Sequence, residues 1–265
     1  MSNASEILAK SRMVSRPSSL EFINSIFTDF FELHGDRHFE DDMAMVGGLA
    51  MLNDMPVTVV GIQKGHTVKD NVARRFGSPN PDGYRKVMRL MEQAEKFHRP
   101  VIQFINTSGA YPGKGAEERG QGEAIARCLY VSAGLKTPVI SIFIGEGGSG
   151  GALAMAAGDR VWMLENGMYA VLSPEGFASI LWRDPTRSEE AAELMKITAK
   201  DLLQNGVIEK IIPEPEEGIE NNIQYTADII KDELTKELKV LCSKTTDELL
   251  EERYKRFRKY GEFNE

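Results

Sequence analysis

The chain has 265 residues, of which 42% are hydrophobic and 27% charged, and its net charge is −8. This composition is typical of a globular protein with an ample core, and the acidic balance argues against a general nucleic-acid-binding protein. No apolar run reaches the roughly 18 to 20 residues that span a bilayer, and the N-terminus lacks a secretory apolar segment. Two cysteines make neither a disulfide framework nor a four-cysteine zinc site. We therefore expect a cytoplasmic protein without a metal site, a membrane partner or a nucleic-acid partner.

The first predicted element is an amphipathic helix in "SSLEFINSIFTDFFELHGD". A serine precedes it, Gly35 ends it, and its apolar residues recur at helical spacing. Those residues are Phe22, Ile23, Ile26, Phe27, Phe30 and Phe31. The runs "MAMVGGLAML" and "VTVVGIQ", on either side of the turn "NDMP", are predicted to be neighbouring strands.

The middle of the chain repeats the order helix, apolar strand and glycine-rich loop. "DGYRKVMRLMEQAEKFH" predicts a helix capped by Asp82, and "VIQFIN" predicts a strand over 101–106. The loop "TSGAYPGKG", the helix "AEERGQGEAIARCLYVSAG" and the strand "PVISIFIG" follow, and a glycine cluster then opens the helix "GALAMAAG". This repetition is typical of βαβ units around a buried parallel sheet.

The last part of the chain is predicted to be mostly helical. "RVWML", "YAVLS" and "VIEKII" are predicted strands, and "SEEAAELMKITAKDLLQNG" is a helix that ends in glycine. The charged helix over 220–260 is most simply a solvated face. Residues 213–218 predict a linker to a helical appendage rather than to a second domain.

The cluster "GEGGSGG", residues 145–151, places five glycines in seven positions directly after a strand. One interpretation is a dinucleotide-binding fingerprint, because Gly145, Gly147 and Gly150 fit G-x-G-x-x-G and Glu165 follows at the spacing of a ribose ligand. Against it, the fingerprint normally lies in the first βα turn of a domain. The next predicted strand also comes too soon for a full crossover helix.

A second interpretation is a nucleophile elbow, because Ser149 lies in a G-x-S-x-G pattern between strand and helix. The chain order Ser, Asp, His is excluded, since all four histidines precede Ser149. They are His34, His38, His66 and His98. A serine–lysine dyad or another order stays open.

A third interpretation is an oxyanion site. The first N–H groups of a helix have no intrahelical partner, and residues without side chains let an oxyanion approach them. "TSGAYPG" supplies a second glycine-rich turn after the preceding strand, and two such loops at adjacent parallel strands can face one ligand. The alternative for either loop is close packing of helix on strand.

Taken together, these features resemble the alpha subunits of bacterial acetyl-coenzyme A carboxylase carboxyltransferases, over about residues 16–213. The similar stretches are "RPSSLEFINSIFTDFFELHGDR", "GYRKVMRLMEQAEKFHRPVIQFINTSGAYPGKGAEERGQGEAIAR", "IGEGGSGGALAMAAGDRVWMLEN" and "YAVLSPEGFASILWRD". The family commonly has "DTPGAYPG" where this chain has "NTSGAYPG", so Asn106 and Ser108 depart from the pattern. We expect the loop backbone to tolerate both changes.

The resemblance implies a crotonase-like (ClpP/crotonase) α/β fold, a spiral of ββα units with helical N- and C-terminal appendages. It implies one coenzyme A carboxyltransferase domain of the C-terminal type over 1–265, with a helical arm at 1–35 and a helical appendage at 219–265. The implied activity transfers a carboxyl group from carboxybiotin, on the biotin carboxyl carrier protein, to acetyl-coenzyme A, giving malonyl-coenzyme A for fatty acid biosynthesis.

The implied partners are a beta subunit in an α2β2 heterotetramer, the carrier protein and biotin carboxylase. No cofactor is expected to be bound covalently, and zinc is expected only in the beta subunit. A self-sufficient crotonase-like acyl-coenzyme A hydratase or decarboxylase is the alternative function. A scaffold that only docks a catalytic partner is a third class.

The predicted catalytic groups are the backbone N–H groups of Gly147, Gly148, Gly109 and Ala110. The ureido oxygen of biotin and the enolate of acetyl-coenzyme A both carry negative charge, so both need such donors. The resemblance assigns mainly the biotin side to the alpha subunit, and Ser149 then needs no chemical role.

Substrate-binding residues are predicted in two further places. Basic residues are in excess over 64–89, and Lys64, Arg74, Arg75 and Arg85 can bind coenzyme A phosphates or an acidic partner. The alternative is a solvated face. Phe177 and Trp182 are predicted to line a biotin pocket, with core packing as their alternative.

Overall fold

The structure is a computed structural model that describes residues 4–261. Its centre is an eight-stranded mixed sheet in the order β1-β2-β3-β4-β5-β6-β8, with β7 paired to β5. The strands are β1 (Thr28–Glu32), β2 (Met45–Leu52), β3 (Met55–Ile62), β4 (Val101–Thr107), β5 (Val139–Gly148), β6 (Arg160–Leu164), β7 (Met168–Ala170) and β8 (Lys210–Ile212). The first three strands pair antiparallel and all later neighbours pair parallel. The predicted α/β class is confirmed.

Twelve α-helices lie within residues 4–261. They are α1 (Ala4–Ser11), α2 (Ser19–Ile26), α3 (Val68–Ala73), α4 (Pro81–Lys96), α5 (Lys114–Glu118), α6 (Gln121–Gly134), α7 (Ser149–Leu153), α8 (Pro174–Trp182), α9 (Ser188–Met195), α10 (Ala199–Gln204), α11 (Ile223–Leu241) and α12 (Thr246–Arg258). In the part of the chain that the structure describes, none of them is long and apolar enough to cross a membrane.

Among the described residues the core forms three apolar clusters, and the two largest lie on opposite faces of the sheet. Alternate residues of β4 point to opposite faces, so that Phe104 joins one cluster and Ile105 the other. Helices α2 and α11 cover the first face, and α4 and α6 cover the second. Burial on both faces explains why the strands of the predicted parallel sheet are continuously apolar.

The first predicted helix is only half right. Helix α2 ends at Ile26, and Phe27 adopts extended backbone angles. The following residues form β1, which pairs with β2. Aromatic residues such as Phe30 and Phe31 favour strands, although their spacing here also fits a helix. Pairing with the edge of the sheet selects the strand. The arm predicted as helical over 1–35 therefore ends in a strand, and residues 1–3 lie outside the described part.

The predicted cap of α4 is also wrong. Asn80 occupies the N-cap position and Pro81 the first helical position, where its fixed φ and missing N–H are tolerated. Asp82 lies within the first turn, with a fully buried side chain that forms ion pairs with Arg85 and Arg119.

Three predicted helices are each split in two. Gly120, at φ 83°, separates α5 from α6, and Lys196, at φ 53°, follows α9. The charged helix predicted over 220–260 breaks before Thr245, whose side chain and Glu248 form a capping box for α12.

The predicted C-terminal appendage packs into the core. Ile230, Leu234 and Leu238 of α11 belong to the apolar cluster on one face of the sheet. Arg253 of α12 is buried and forms an ion pair with Asp159 at 2.8 Å. Apart from Arg253 and Arg256, the charged side chains of α11 and α12 are exposed or half-buried, while the apolar stripe of α11 covers the sheet.

Candidate active site

Two glycine loops meet where β4 and β5 end. We call residues 107–113 the first glycine loop and residues 145–151 the second. A Cβ placed on Gly148 would lie 2.1 Å from the carbonyl oxygen of Ser108, and one on Gly151 would lie 2.4 Å from the backbone nitrogen of Ala110. The loops therefore touch backbone to backbone, which only residues without side chains permit at these two positions.

The second glycine loop is partly sheet. Gly147 pairs with Thr107 of β4 on one side and with Tyr169 of β7 on the other, and Gly148 pairs with Ala170. Only from Ser149 onward does the chain turn into α7, which has five residues. The predicted donors Gly147 and Gly148 thus belong to the end of a strand, and the helix predicted to follow them is a single short turn.

The first glycine loop is closed by a threonine. The N–H of Gly109 donates to Thr107 Oγ1 at 3.0 Å, and the same hydroxyl donates to the carbonyl oxygen of Gly109 at 2.9 Å. Gly109 has a φ of 140°, which favours glycine. Its N–H reaches an oxyanion only if the bond to Thr107 is shared or broken, while Ala110 beside it is half-buried.

The dinucleotide interpretation does not agree with this geometry. Gly145 and Gly147 lie inside β5 rather than in a turn, and the short α7 offers no crossover helix of the usual length.

Ser149 has part of an elbow's geometry. It is exposed, it has a φ of 50°, and it stands between strand and helix. Within residues 4–261, however, no hydrogen bond joins its hydroxyl to a base. A hydroxyl without a base is a weak nucleophile, so the structure gives no support for serine catalysis.

A bulge between β4 and β5 sets the direction of the second glycine loop. Ile105 pairs with Phe143, but Thr107 pairs with Gly147, so β5 has two extra residues here. The side chain of Asn106 fills the gap, and its Oδ1 accepts a hydrogen bond from the N–H of Glu146 at 3.2 Å. Asn106 was noted in the sequence only as a departure from the family pattern.

The carboxylate of Glu146 has two basic neighbours. Arg12 Nε donates to Glu146 Oε1 at 2.8 Å, and Lys64 Nζ lies 3.6 Å from Glu146 Oε2. Burial lowers the pKa of Lys64, and the nearby Glu146 carboxylate opposes this shift. Neither Glu146 nor Arg12 was predicted from the sequence; the one signal was a carboxylate inside a run of glycines.

A cavity of about 240 Å³ lies beside this bulge. Its polar lining includes Arg12, Arg16, Lys64 and Asn106, and its apolar lining includes Phe76. Of the four basic residues predicted to bind substrate, Lys64 is the one that lines this cavity.

The other three predicted basic residues are paired with acids. Arg74 pairs with Asp70 at 2.8 Å, Arg75 with Asp42 at 2.8 Å, and Arg85 with Asp36 at 2.9 Å. Asp36 and Asp42 lie outside the window 64–89 in which the basic excess was counted. Their neutralisation of Arg85 and Arg75 could therefore not be predicted from that count. Phosphate binding by Arg74, Arg75 and Arg85 stays a prediction, and it requires them to exchange these partners.

Phe177 and Trp182 lie together on α8. Their rings meet edge to face at 5.8 Å, and the guanidinium of Arg187 lies 4.0 Å from the centre of the Trp182 ring. Both side chains are half-buried. Their role in a biotin pocket stays a prediction.

Comparison with known proteins identifies the family. Residues 3–261 match the family described as acetyl co-enzyme A carboxylase carboxyltransferase-like. The protein named acetyl-coenzyme A carboxylase carboxyl transferase subunit alpha from Streptococcus pyogenes serotype M5 is 62% identical over 260 residues, covering 98% of this chain and 100% of that protein. Its namesake from Streptococcus equi subsp. equi is 60% identical over 260 residues.

The chain belongs to this carboxyltransferase family.

Solved structures agree with the fold. Transcarboxylase 12S superimposes with a TM-score of 0.70 at 18% identity, over 91% of this chain and 45% of that chain. A Pseudomonas malonate decarboxylase hetero-tetramer gives a TM-score of 0.71 at 16% identity, over 91% of this chain and 92% of that chain. The predicted crotonase-like fold is confirmed.

The predicted activity is confirmed at the level of the family. It is that of an acetyl-coenzyme A carboxylase carboxyltransferase subunit, and a self-sufficient hydratase or decarboxylase is not favoured. Membership implies a substrate that carries biotin, acetyl-coenzyme A as the second substrate, and a complex of several subunits. Among the described residues, no group of three or more His, Cys, Asp or Glu residues is arranged to hold a metal ion.

Proposed function

We propose that this chain forms the biotin side of a carboxyltransferase site, which moves the carboxyl group of carboxybiotin to acetyl-coenzyme A and gives malonyl-coenzyme A. The observation that carries the proposal is the backbone contact between the two glycine loops, in a chain 62% identical to a named alpha subunit. Both loops end neighbouring parallel strands, the usual place for ligands in such sheets.

The reaction needs charge stabilisation more than it needs a protein nucleophile. The bond between the ureido nitrogen of biotin and the carboxyl carbon breaks, and its electron pair stays on the ureido group as carbon dioxide leaves. That group then takes a proton from the methyl carbon of acetyl-coenzyme A, and the resulting enolate carbon attacks carbon dioxide.

Backbone donors near Gly147, Gly148 and Ala110 would bind the ureido oxygen while it carries negative charge. One well-placed donor of this kind contributes about 3 to 4 kcal/mol to the transition state. Gly109 would join them once its N–H leaves Thr107 Oγ1.

The second oxyanion, on the acetyl group, needs a second set of donors. We assign it to a beta subunit that carries the zinc ribbon, in an α2β2 assembly served by the biotin carboxyl carrier protein and biotin carboxylase. This chain offers only one such pair of glycine loops in the sequence, at 107–113 and 145–151.

The test is carboxyl transfer from malonyl-coenzyme A to free biotin, with this chain alone and with a zinc-ribbon beta subunit. We expect activity only with both chains, together with co-elution in size exclusion. Substantial activity of this chain alone would overturn the divided site. No activity from an intact complex of both chains would overturn the assigned reaction.

A further inference from the structure

The segment between α1 and α2 lies against the end of β5. We call residues 12–18 the strap; they form turns and bends but no helix or strand. Arg12 contacts Glu146 of β5, and Arg16 Nε donates to the carbonyl oxygen of Ile144 at 2.5 Å. Two strap arginines therefore bind Ile144 and Glu146, which lie in the bulged stretch of β5 before Gly147.

The strap is itself anchored at two points that follow Arg12. The guanidinium of Arg16 pairs with Glu214 at 2.5 Å, and both side chains are buried. His66 Nδ1 lies 2.8 Å from the carbonyl oxygen of Val14. The backbone that carries Arg12 is thus anchored shortly after it, and the side chain itself is held by its bonds to Glu146 and Glu175.

Arg12 also reaches a second element. Its Nε donates to Glu146 Oε1 at 2.8 Å while its Nη1 donates to Glu175 Oε1 at 2.9 Å. Glu175 lies in the first turn of α8, the helix that carries Phe177 and Trp182. A planar guanidinium fixes the relative position of two carboxylates in a way that a lysine ammonium does not.

We propose that Arg12 is a positioning residue for carboxyl transfer, which ties the glycine end of β5 to the start of α8. The proposal rests on the proposed function, since it assumes that Gly147 and Gly148 face the biotin substrate. Glu146 immediately precedes Gly147, so the carboxylate that Arg12 holds and the predicted donors share one stretch of backbone.

The loss of Arg12 would leave Glu146 with Lys64 as its remaining basic partner among the described residues, at 3.6 Å. We expect the carboxylate to turn toward Lys64 and to carry the bulge with it, while α8 loses its tie to β5. A displacement of about 1 Å in a catalytic group can lower the rate about a hundredfold.

The experiment uses the reconstituted complex of this chain with a beta subunit and follows transfer from malonyl-coenzyme A to free biotin. The variant is Arg12→Gln. Its control is Arg160→Gln, which removes another arginine–glutamate pair, with Glu237 at 2.7 Å; Arg160 has 25% of its side chain exposed, against 32% for Arg12.

We expect Arg12→Gln to lower kcat about ten- to a hundredfold and to raise the KM for biotin, while the KM for malonyl-coenzyme A stays within about twofold. The control should keep all three constants. A merely structural role for Arg12 would not separate the two KM values. Equal constants in Arg12→Gln and Arg160→Gln would overturn the positioning role and leave the proposed function standing.

A second variant covers failure of Arg12→Gln to fold or assemble. Glu175→Gln keeps the contact of Arg12 with the buried Glu146 and weakens only the tie to α8. We expect it to lower kcat about threefold to tenfold, and we expect no further loss in Arg12→Gln from adding Glu175→Gln, because the two residues act as one unit. Wild-type kinetics in Glu175→Gln would contradict the proposal, whereas an inactive wild-type complex would contradict the proposed function instead.

Discussion

At Gly148, close packing and the proposed oxyanion role favour the same residue. A side chain there would meet the backbone of Ser108, which cannot move aside as the end of a flexible side chain can. The packing explanation for the glycines and the oxyanion explanation are therefore not rivals: the contact that excludes a Cβ is also what holds the two loops together.

This argument predicts opposite outcomes for two glycines of the second loop. Gly148→Ala places a Cβ 2.1 Å from the Ser108 carbonyl oxygen, whereas Gly150→Ala places one 3.7 Å from Ile125 Cγ2, an ordinary contact. We expect Gly148→Ala to lower the free energy of unfolding by about 1 to 3 kcal/mol and to abolish most transfer. Gly150→Ala, within α7, should be neutral or slightly stabilising.

Thermal unfolding and the transfer assay on the reconstituted complex check both variants. If Gly148→Ala unfolds and turns over like Gly150→Ala, the assigned contact between the loops is wrong.

Ser149 supplies the next residue-scale prediction. Because no hydrogen bond joins its hydroxyl to a base within residues 4–261, we expect Ser149→Ala to keep kcat/KM within about tenfold, or about 1.4 kcal/mol. Alanine tolerates a φ of 50° no better than serine does, so the substitution removes the hydroxyl without changing the backbone strain at this position. A loss of three or more decades in an intact complex would restore serine catalysis.

The two hydrogen bonds of His66 predict that stability depends on pH. Its Nδ1 faces the carbonyl oxygen of Val14 and its Nε2 faces the carboxylate of Glu21, so only the imidazolium can donate both bonds. The hydrogen bond to Glu21 raises the pKa of His66 above 6.5, burial opposes this, and the charges of Glu21 and Asp70 add to it. The pKa is thus higher in the folded protein than in the unfolded chain.

Because the pKa of His66 is higher in the folded protein, the direction of the pH dependence is fixed. The stabilisation by His66 is fully present below pH 6.5 and is lost as pH rises through the raised pKa. We expect the difference in Tm between wild type and His66→Gln to be largest near about pH 5.5 and to shrink toward about pH 8.5. A difference that is constant or grows with pH would contradict the doubly bonded imidazolium.

At the scale of elements, the apolar patterns of the sequence predicted the strands that are buried in the sheet. Strands β2 to β6 were predicted because a strand buried on both faces is apolar throughout and is bounded by turns. The segment after Phe27 was not predicted to be a strand, since its aromatic residues fit helical spacing and strand propensity equally well. Only its pairing with β2 selects the strand.

The candidate site was likewise predictable only in part. The two glycine loops were predictable because they follow adjacent strands of one repeated unit. Arg12 and Glu146 were not, since 134 residues separate them along the chain and their contact depends on the path of the strap. The basic excess over 64–89 could not be corrected from the sequence for the same reason. Arg75 and Asp42 are 33 residues apart, and their charges neutralise each other only in the folded chain.

At the scale of the whole molecule, the C-terminal segment is part of the core despite its charge. Arg253 illustrates why composition misleads. Its side chain is 1% exposed, it donates two bonds to the Asp159 carboxylate, and it also donates to the carbonyl oxygens of Ser132 and Leu135. One arginine in a charged helix thereby joins α12 to the end of α6 and to the loop before β6.

The final prediction measures that junction. Arg253→Met fills much of the same volume but leaves the Asp159 carboxylate buried, with the N–H of Val139 as its remaining hydrogen-bond partner among residues 4–261. Removing one partner of a buried ion pair costs about 3 to 5 kcal/mol. The control, Lys255→Met on the same helix, removes an exposed pair with Glu251 and should change stability by less than about 1 kcal/mol. Urea unfolding checks both, with the midpoint lowered in Arg253→Met and the slope unchanged. Equal midpoints in the two variants would mean that the Arg253–Asp159 pair does not stabilise the junction between α12 and the rest of the core.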